Sequence, residues 1–217
     1  MFKVTTIFAN MKILICSATE EELFNLREIE VNSQEIDFLV SGLGMVSMAY
    51  TLTRQLSAAD YDLVINIGLA GSFRKDLAIG TVFRIEEDYF SEIGAEDGED
   101  FLTLEEMNLK GETYIQNEID FDSDRLNALP VFKGITVNTV HGNEISIEKI
   151  KQRLQPDVET MEGAAFLMIC KKEKTPALQI RSISNYVERR NKDNWNIPLA
   201  IQNLHKIVSK ILHQLPI

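Results

Sequence analysis

Leu63-Val64-Ile65-Asn66-Ile67-Gly68-Leu69-Ala70-Gly71-Ser72 (LVINIGLAGS) is the stretch that decides the class of fold. Leu63 to Ile67 reads as a continuous apolar strand of the kind buried on both faces. It runs into a small-residue turn with two glycines. The same grammar repeats on either side. Lys12 to Ser17 is a short β-compatible run. Ile36 to Val40 is a second one, closing on Ser41-Gly42-Leu43-Gly44 before an amphipathic helix over 45–58. Thr81 to Ile85 and Gly134 to Val140 are further strands, with a helix over Ile147 to Leu154. Val158-Glu159 looks like a strand end that opens the buried helical run Ala164 to Cys170. Ala177 to Ile183 is the last strand. The closing helix, Ile197 to Leu212, carries Leu199, Ile201, Leu204, Ile207, Val208, Ile211 and Leu212 at helical spacing. Strands separated by helices along one chain predict a single α/β domain with helices on both faces of a largely parallel sheet.

The 217 residues fit one domain with a proper core. Lys plus Arg is 22 and Asp plus Glu is 33, a formal charge of −11 that repels phosphate backbones and anionic membranes. Neither nucleic acid nor a membrane is an expected partner. Cys16 and Cys170 read as small core residues of a reduced cytosolic protein. Three histidines without metal-ligand spacing predict no metal. Met11-Lys12 looks like a natural start, so residues 1–10 are read as an N-terminal extension and 11–217 as the domain.

Open α/β sheets bind ligands beyond the carboxyl ends of their strands, which singles out four places. Glu20-Glu21-Glu22 follows the first strand, where Thr19 can cap a helix whose first turn carries the three acids. Gly42-Leu43-Gly44 and Gly68 to Ser72 are turns that let a ligand approach the backbone. The first falls short of a dinucleotide fingerprint, because Ser47 stands where the third glycine belongs. Met161-Glu162 lies at a strand-to-helix junction, where a carboxylate is either half-desolvated and free for two sugar hydroxyls or simply an acid opening a helix. Ser184-Asn185 follows the last strand. The acidic stretch 91–107 is a solvated loop or a lid. His141 follows a strand and lies near these ends. Tyr186 and Trp195 are ligand-stacking or packing residues.

Taken in order, KILICSATEEEL (12–23), SGLGMV (41–46), INIGLAGS (65–72), VETMEGAA (158–165) and RSISNYVERRNKDNW (181–195) resemble the purine nucleoside phosphorylase and nucleosidase superfamily. Within it the chain is similar to methylthioadenosine/adenosylhomocysteine nucleosidases and, more closely, to futalosine hydrolases. The resemblance implies a three-layer αβα sandwich around a twisted, mixed, largely parallel sheet. It implies Glu22 as the base that polarises water and Glu162 with Met161 at the ribose. Ser184 and Asn185 fall at the purine N7, with Gly42, Leu69 and Gly71 lining the floor. No cofactor is implied, and a homodimer or larger homo-oligomer in the cytoplasm is. The implied reaction is hydrolysis of futalosine to hypoxanthine and dehypoxanthine futalosine, in menaquinone synthesis. Cleavage of methylthioadenosine, adenosylhomocysteine or aminodeoxyfutalosine, or nucleoside binding without turnover, are the alternatives. Arg181, Arg189 and Arg190 are candidates for the carboxylate of futalosine's aromatic tail, or else a solvated basic surface.

Two departures from the nucleosidase pattern matter. Thr160 intervenes in what would otherwise read Val-Glu-Met-Glu, which leaves the role of Glu159 open. Asn185 stands where methylthioadenosine nucleosidases have an aspartic acid. An amide cannot protonate a leaving adenine at N7, which points to a 6-oxopurine. Leu69, where many relatives have Ser or Thr, and Glu22 facing the ribose both favour water over phosphate. Arg54, Arg74 and Arg84 would argue the reverse if they converged on the site.

Overall fold

The computed structural model describes residues 11–29, 31, 34–117 and 123–215. The proposed extension, 1–10, lies outside them. In chain order the elements are β1 (Met11–Ser17), β2 (Gln34–Val40), α1 (Met45–Ala58), β3 (Leu63–Ser72), β4 (Val82–Phe90), β5 (Ala95–Asp97), β6 (Asp100–Leu102) and β7 (Tyr114–Gln116). They continue with α2 (Asp124–Asn127), β8 (Val131–Thr136), α3 (Glu144–Leu154), β9 (Val158–Thr160), α4 (Gly163–Glu173), β10 (Ala177–Tyr186) and α5 (Ile197–Leu212).

Side chains alternate across the sheet, and each face finds its own helices. On β1, Ile13 and Ile15 join Ile65, Leu178, Ile180 and the α5 residues Leu204, Val208 and Ile211. Leu14 and Cys16 point the other way, to Met48 and Leu52 of α1 and Ala165, Phe166 and Cys170 of α4. The expected α/β domain with a mixed central sheet and a helix layer on each side is what forms.

The sheet also closes. β3 pairs in parallel with β1 and β10, β10 runs antiparallel to β4, and β4, β8 and β9 are parallel neighbours. β9 then meets β3 antiparallel, through Gly71 with Glu159 and Ser72 with Val158. The ring of β3, β10, β4, β8 and β9 holds an apolar cluster drawn from all five strands: Ala70, Phe83, Ile85, Phe132, Val158 and Ile183. That is how the interior of a small barrel is filled.

Three local expectations need correction. Gly68 to Ser72 is not a turn; it is the second half of β3, paired along its length with β10 and, at Gly71 and Ser72, also with β9. Its residues are small because the neighbours are close. A side chain at Gly71 would meet Val187, Asn185 and Glu159 between 3.1 and 3.4 Å. The Glu20 to Leu23 segment forms turns and a 3-10 turn at Phe24–Leu26, with no α-helix. The 91–107 stretch contains the β5–β6 hairpin and turns to α3, where Arg153 lies over the Phe101 ring at 3.6 Å. None of its residues lines the cavity described below, so it is not a lid over it.

Gly163 shows how tightly α4 is seated: a Cβ there would fall 2.1 Å from Gln179 Oε1 and 2.2 Å from Asp88 Oδ2. Overpacking of this kind costs roughly 1–3 kcal/mol, occasionally more. Gly163→Ala is therefore expected to lower the urea midpoint at unchanged m-value; an unaltered midpoint would contradict this seating.

Candidate active site

Where the ring closes, the ends of β1, β3, β9 and β10 surround a cavity of about 450 Å³. Glu22, Leu69, Gly71, Met161, Glu162, Ser184 and Asn185 all line it. Gly42 does not. It takes a left-handed φ of 83° and abuts Ser47, while its neighbour Leu43 forms the wall.

Glu22 is buried and held by three hydrogen bonds, with acceptor capacity left on Oε1. Thr19 donates its backbone N–H to Oε2 at 3.1 Å and its hydroxyl at 3.2 Å, and the Leu69 N–H donates to Oε1 at 3.2 Å. Thr19 thus serves this carboxylate instead of capping a helix. Behind it, the Glu22 carbonyl accepts from His205 Nε2 of α5 at 2.7 Å, an assignment a carbonyl allows only one way. The carboxylate is held on β3, and the strand's amide that faces the cavity is taken.

Glu162 occupies the N-cap position of α4, yet its side chain makes no cap bond. Its carboxylate reaches across to the Gly44 N–H at 2.8 Å. Gly44 has a φ of 85° and nothing within 4 Å of where a Cβ would be, so the exposed turn owes its shape to glycine and delivers an amide to this acid. Among the described residues the other carboxylate oxygen takes no hydrogen bond. Burial pushes the Glu162 carboxyl up, the Gly44 N–H and Arg181 pull it down, and the charge on Glu22 pushes it up again.

Arg181 is neither a tail contact nor a surface cation. It is wholly buried, donating Nη1 to the Asn66 carbonyl at 3.2 Å and Nη2 to the Asn66 side chain. It abuts Gly68, where an added Cβ would lie 3.0 Å from Glu22 Oε1 and 3.4 Å from Arg181 Nη1. Desolvation works against its charge, while Glu162, Glu22 and Asp88 favour it. One buried cation therefore balances Glu22 and Glu162 without forming an ion pair with either.

Across the cavity, a β-bulge between Ile183 and Asn185 turns the end of β10. Asn185 Nδ2 donates to the Tyr186 carbonyl at 3.0 Å, which fixes which end of the amide is nitrogen. Oδ1 accepts from the Ser184 hydroxyl at 2.7 Å. One N–H and one lone pair remain. Glu159, the residue left open by the sequence, accepts the backbone N–H of His141 at 3.1 Å and its Nδ1–H at 2.7 Å. It anchors the loop that carries His141 and Gly142 into the wall.

At the mouth, Arg190 lies 4.8 Å over the Trp195 ring, and both line the cavity; Arg189 does not. Arg190 is the one Lys or Arg in the lining, and among the described residues no carboxylate pairs with it. Arg54, Arg74 and Arg84 are elsewhere: Arg54 reaches Tyr50, Arg74 pairs with Asp76 and Asp157, and Arg84 with Glu86. Among the described residues no cluster of His, Cys, Asp and Glu is placed to hold a metal, and no helix is long and apolar enough to cross a membrane.

A sequence model of the phosphorylase superfamily matches residues 15–213. The chain belongs to that family. This superfamily member is 28% identical to the futalosine hydrolase of Acidothermus cellulolyticus over 175 residues, 77% of this chain and 71% of that protein. It is 26% identical to the 5'-methylthioadenosine/S-adenosylhomocysteine nucleosidase of Buchnera aphidicola over 236 residues, 94% of this chain and 97% of that one. Among solved structures, an Asp-to-Asn variant of the Helicobacter pylori nucleosidase, with 5'-methylthioadenosine in the active site, superposes with a TM-score of 0.80. It is 19% identical and covers 93% of this chain and 98% of its own. These relatives and neighbours are nucleosidases, N-glycosyl hydrolases. As a superfamily member the chain presents Glu22, Glu159 and Glu162 to the cavity from the ends of its strands, and the sequence reading named all three. It named Arg181 and Gly44 in other roles and did not single out His205, because their partners are distant in the chain.

Because burial is the largest influence on Glu162, its carboxyl should titrate above the ordinary glutamate value of 4.5. A 13C-detected carboxyl titration of the ligand-free protein checks this. A midpoint at or below that value would mean the cavity is wetter than its geometry indicates.

Proposed function

We propose that this chain hydrolyses the N-glycosidic bond of futalosine, a 6-oxopurine nucleoside, releasing hypoxanthine and dehypoxanthine futalosine for menaquinone synthesis. The observation that carries hydrolysis is the Glu22 carboxylate seated on the amides of Leu69 and Thr19. A phosphate dianion would need those donors and would meet a negative charge in their place. Water tolerates the carboxylate and is polarised by it.

Breaking the bond builds positive charge on the ribose and negative charge on the departing base. Rate comes only from contacts that strengthen as that separation develops. Glu162 has one carboxylate oxygen on Gly44 and one open to the cavity, with Met161 beside it, an arrangement suited to ribose hydroxyls and to the cationic sugar. Asn185 can pair with either purine: its free N–H and lone pair suit a 6-amino group with a bare N7 as well as a 6-oxo group whose N7 has taken a proton from water as the base leaves. Binding does not discriminate here, but chemistry does. Adenine leaves slowly unless N7 is protonated, which an amide cannot do, whereas a 6-oxopurine is the better leaving group.

Arg190 supports the tail. A guanidinium stacked on Trp195 offers its edge to an anion, and futalosine carries a carboxylate on an aromatic ring that methylthioadenosine lacks. Leu43 of the cavity wall is exposed, as are Val46 and Tyr50 of α1 just after it, and this apolar surface suits a second copy, giving the homo-oligomer proposed here. The reading places the domain at 11–217, in the cytoplasm.

The decisive assay offers futalosine and 5'-methylthioadenosine with and without phosphate and identifies base and sugar. Hypoxanthine and free sugar are expected at a rate indifferent to phosphate. Adenine release should be about 10²–10⁴-fold slower, the usual worth of a missing acid catalyst. Fast adenine release would overturn the 6-oxopurine reading, and sugar phosphate would overturn hydrolysis. Glu22→Gln should lose about 10²-fold or more in kcat. Arg190→Ala should raise KM for futalosine and leave that for methylthioadenosine unchanged.

A further inference from the structure

The Glu162 carboxylate makes no cap bond, and other side chains take up N–H groups of the helix end beneath it. A residue at the N-cap ordinarily turns its side chain back to the N–H of the second or third helical residue. In α4 the second is Ala164, and its N–H donates to Thr136 Oγ1 at 2.7 Å. The first, Gly163, donates to Thr160 Oγ1 at 3.3 Å. The Thr160 hydroxyl comes from the end of β9 just before the helix, and the Thr136 hydroxyl from β8, 28 residues away in the chain. Thr160 is the residue that interrupts the nucleosidase pattern.

The two hydroxyls form a directed chain. Thr136, accepting from Ala164, spends its single proton on Asp88 Oδ1 at 2.9 Å. Thr160, accepting from Gly163, lies 3.4 Å from Thr136 Oγ1 and has that oxygen to donate to. Gln179 Nε2 closes the chain on Asp88 Oδ2 at 3.0 Å. Asp88, Thr136 and Gln179 are completely buried and Thr160 nearly so. Burial raises the Asp88 carboxyl to about 6, while the Gln179 amide and the Thr136 hydroxyl, which both donate to it, favour the ionised form. Four of the five ring strands thus each send one polar side chain to a single helix terminus. Glycine at 163 lets that terminus sit directly on Asp88 and Gln179.

We propose that Thr136 and Thr160, backed by Asp88 and Gln179, are positioning residues for Glu162. By satisfying the N–H groups of Gly163 and Ala164 they remove one of the two usual partners of an N-cap side chain, the Ala164 N–H, and favour a Glu162 carboxylate directed at Gly44 and the ribose. The proposal rests on the reading of Glu162 as the ribose contact. Without the Thr136 hydroxyl, the buried Ala164 N–H is an orphan, and Glu162 is the acid placed to fold back onto it.

The test compares wild type, Thr136→Val, Thr136→Ser and Glu162→Gln, with futalosine and 5'-methylthioadenosine as substrates. Folded fraction is set by urea unfolding. Thr136→Val should lose about 100-fold in kcat per folded molecule, the scale of a misplaced reacting group. Its Glu162 13C titration should move down as the carboxylate takes up helix N–H groups. Thr136→Ser should restore both. Should Thr136→Val fail to fold, Thr136→Ala, which removes the same hydroxyl and orphans the same Ala164 N–H, carries the same expectation. Loss of stability with kcat per folded molecule and the Glu162 titration unchanged would overturn the positioning role alone. Full activity in Glu162→Gln would instead overturn the ribose contact on which it rests.

Discussion

Two residue pairs, Gly71 with Glu159 and Ser72 with Val158, close the sheet into a ring. The cavity depends on that closure. β9 is three residues long, so it would be a weak strand alone, but it is held in parallel by β8 and antiparallel by β3. The chain then leaves β9 directly into α4, carrying Met161 and Glu162 past Gly71. Asn185 reaches the same place because β10 pairs with the other side of β3 and bulges at its end. The absence of a side chain at Gly71 is what lets Glu159, Val187 and Asn185 crowd around one backbone.

Closure confines charge as well as space. Glu22 and Glu162 are both desolvated, and like charges in low dielectric repel strongly. Arg181 sits among them in the core, pinned by Asn66, and offsets both at once. Each carboxylate is then oriented by backbone amides: Thr19 and Leu69 for one, Gly44 for the other. Such dipoles are fixed by the fold and need no reorganisation as charge develops on a bound sugar. The mouth is handled differently. Glu188 is occupied by Lys75 and Asn194, which leaves Arg190 as the uncommitted charge there.

Much of this was legible in the residue order. α1 and α5 appear where apolar spacing placed them, since a helix that covers a sheet must show its period in sequence. Seven of the eight proposed site residues line one cavity, because strand ends in such a sheet converge on one edge. Two of the misses share a cause. Gly68 to Ser72 reads as a turn because glycine and serine are usually turn residues, and the close neighbours that require small side chains belong to distant strands. Glu20 to Glu22 reads as a first helical turn because Thr19 and acids favour one. A partner at Leu69 redirected Glu22 instead, a tertiary bond overriding a local preference.

Sequence alone determined the layered α/β class and the strand ends that carry Glu22, Glu162 and the amide at position 185, because burial period and residue chemistry are written locally. Tertiary structure decided that the sheet closes and that Arg181 is a core counter-charge. It also decided that Glu159 holds His141 and that Thr136 of β8 takes the Ala164 N–H of α4. Each of these is a relation between residues separated by many positions, and hydrogen-bond partners and desolvation exist only once the chain has brought them together.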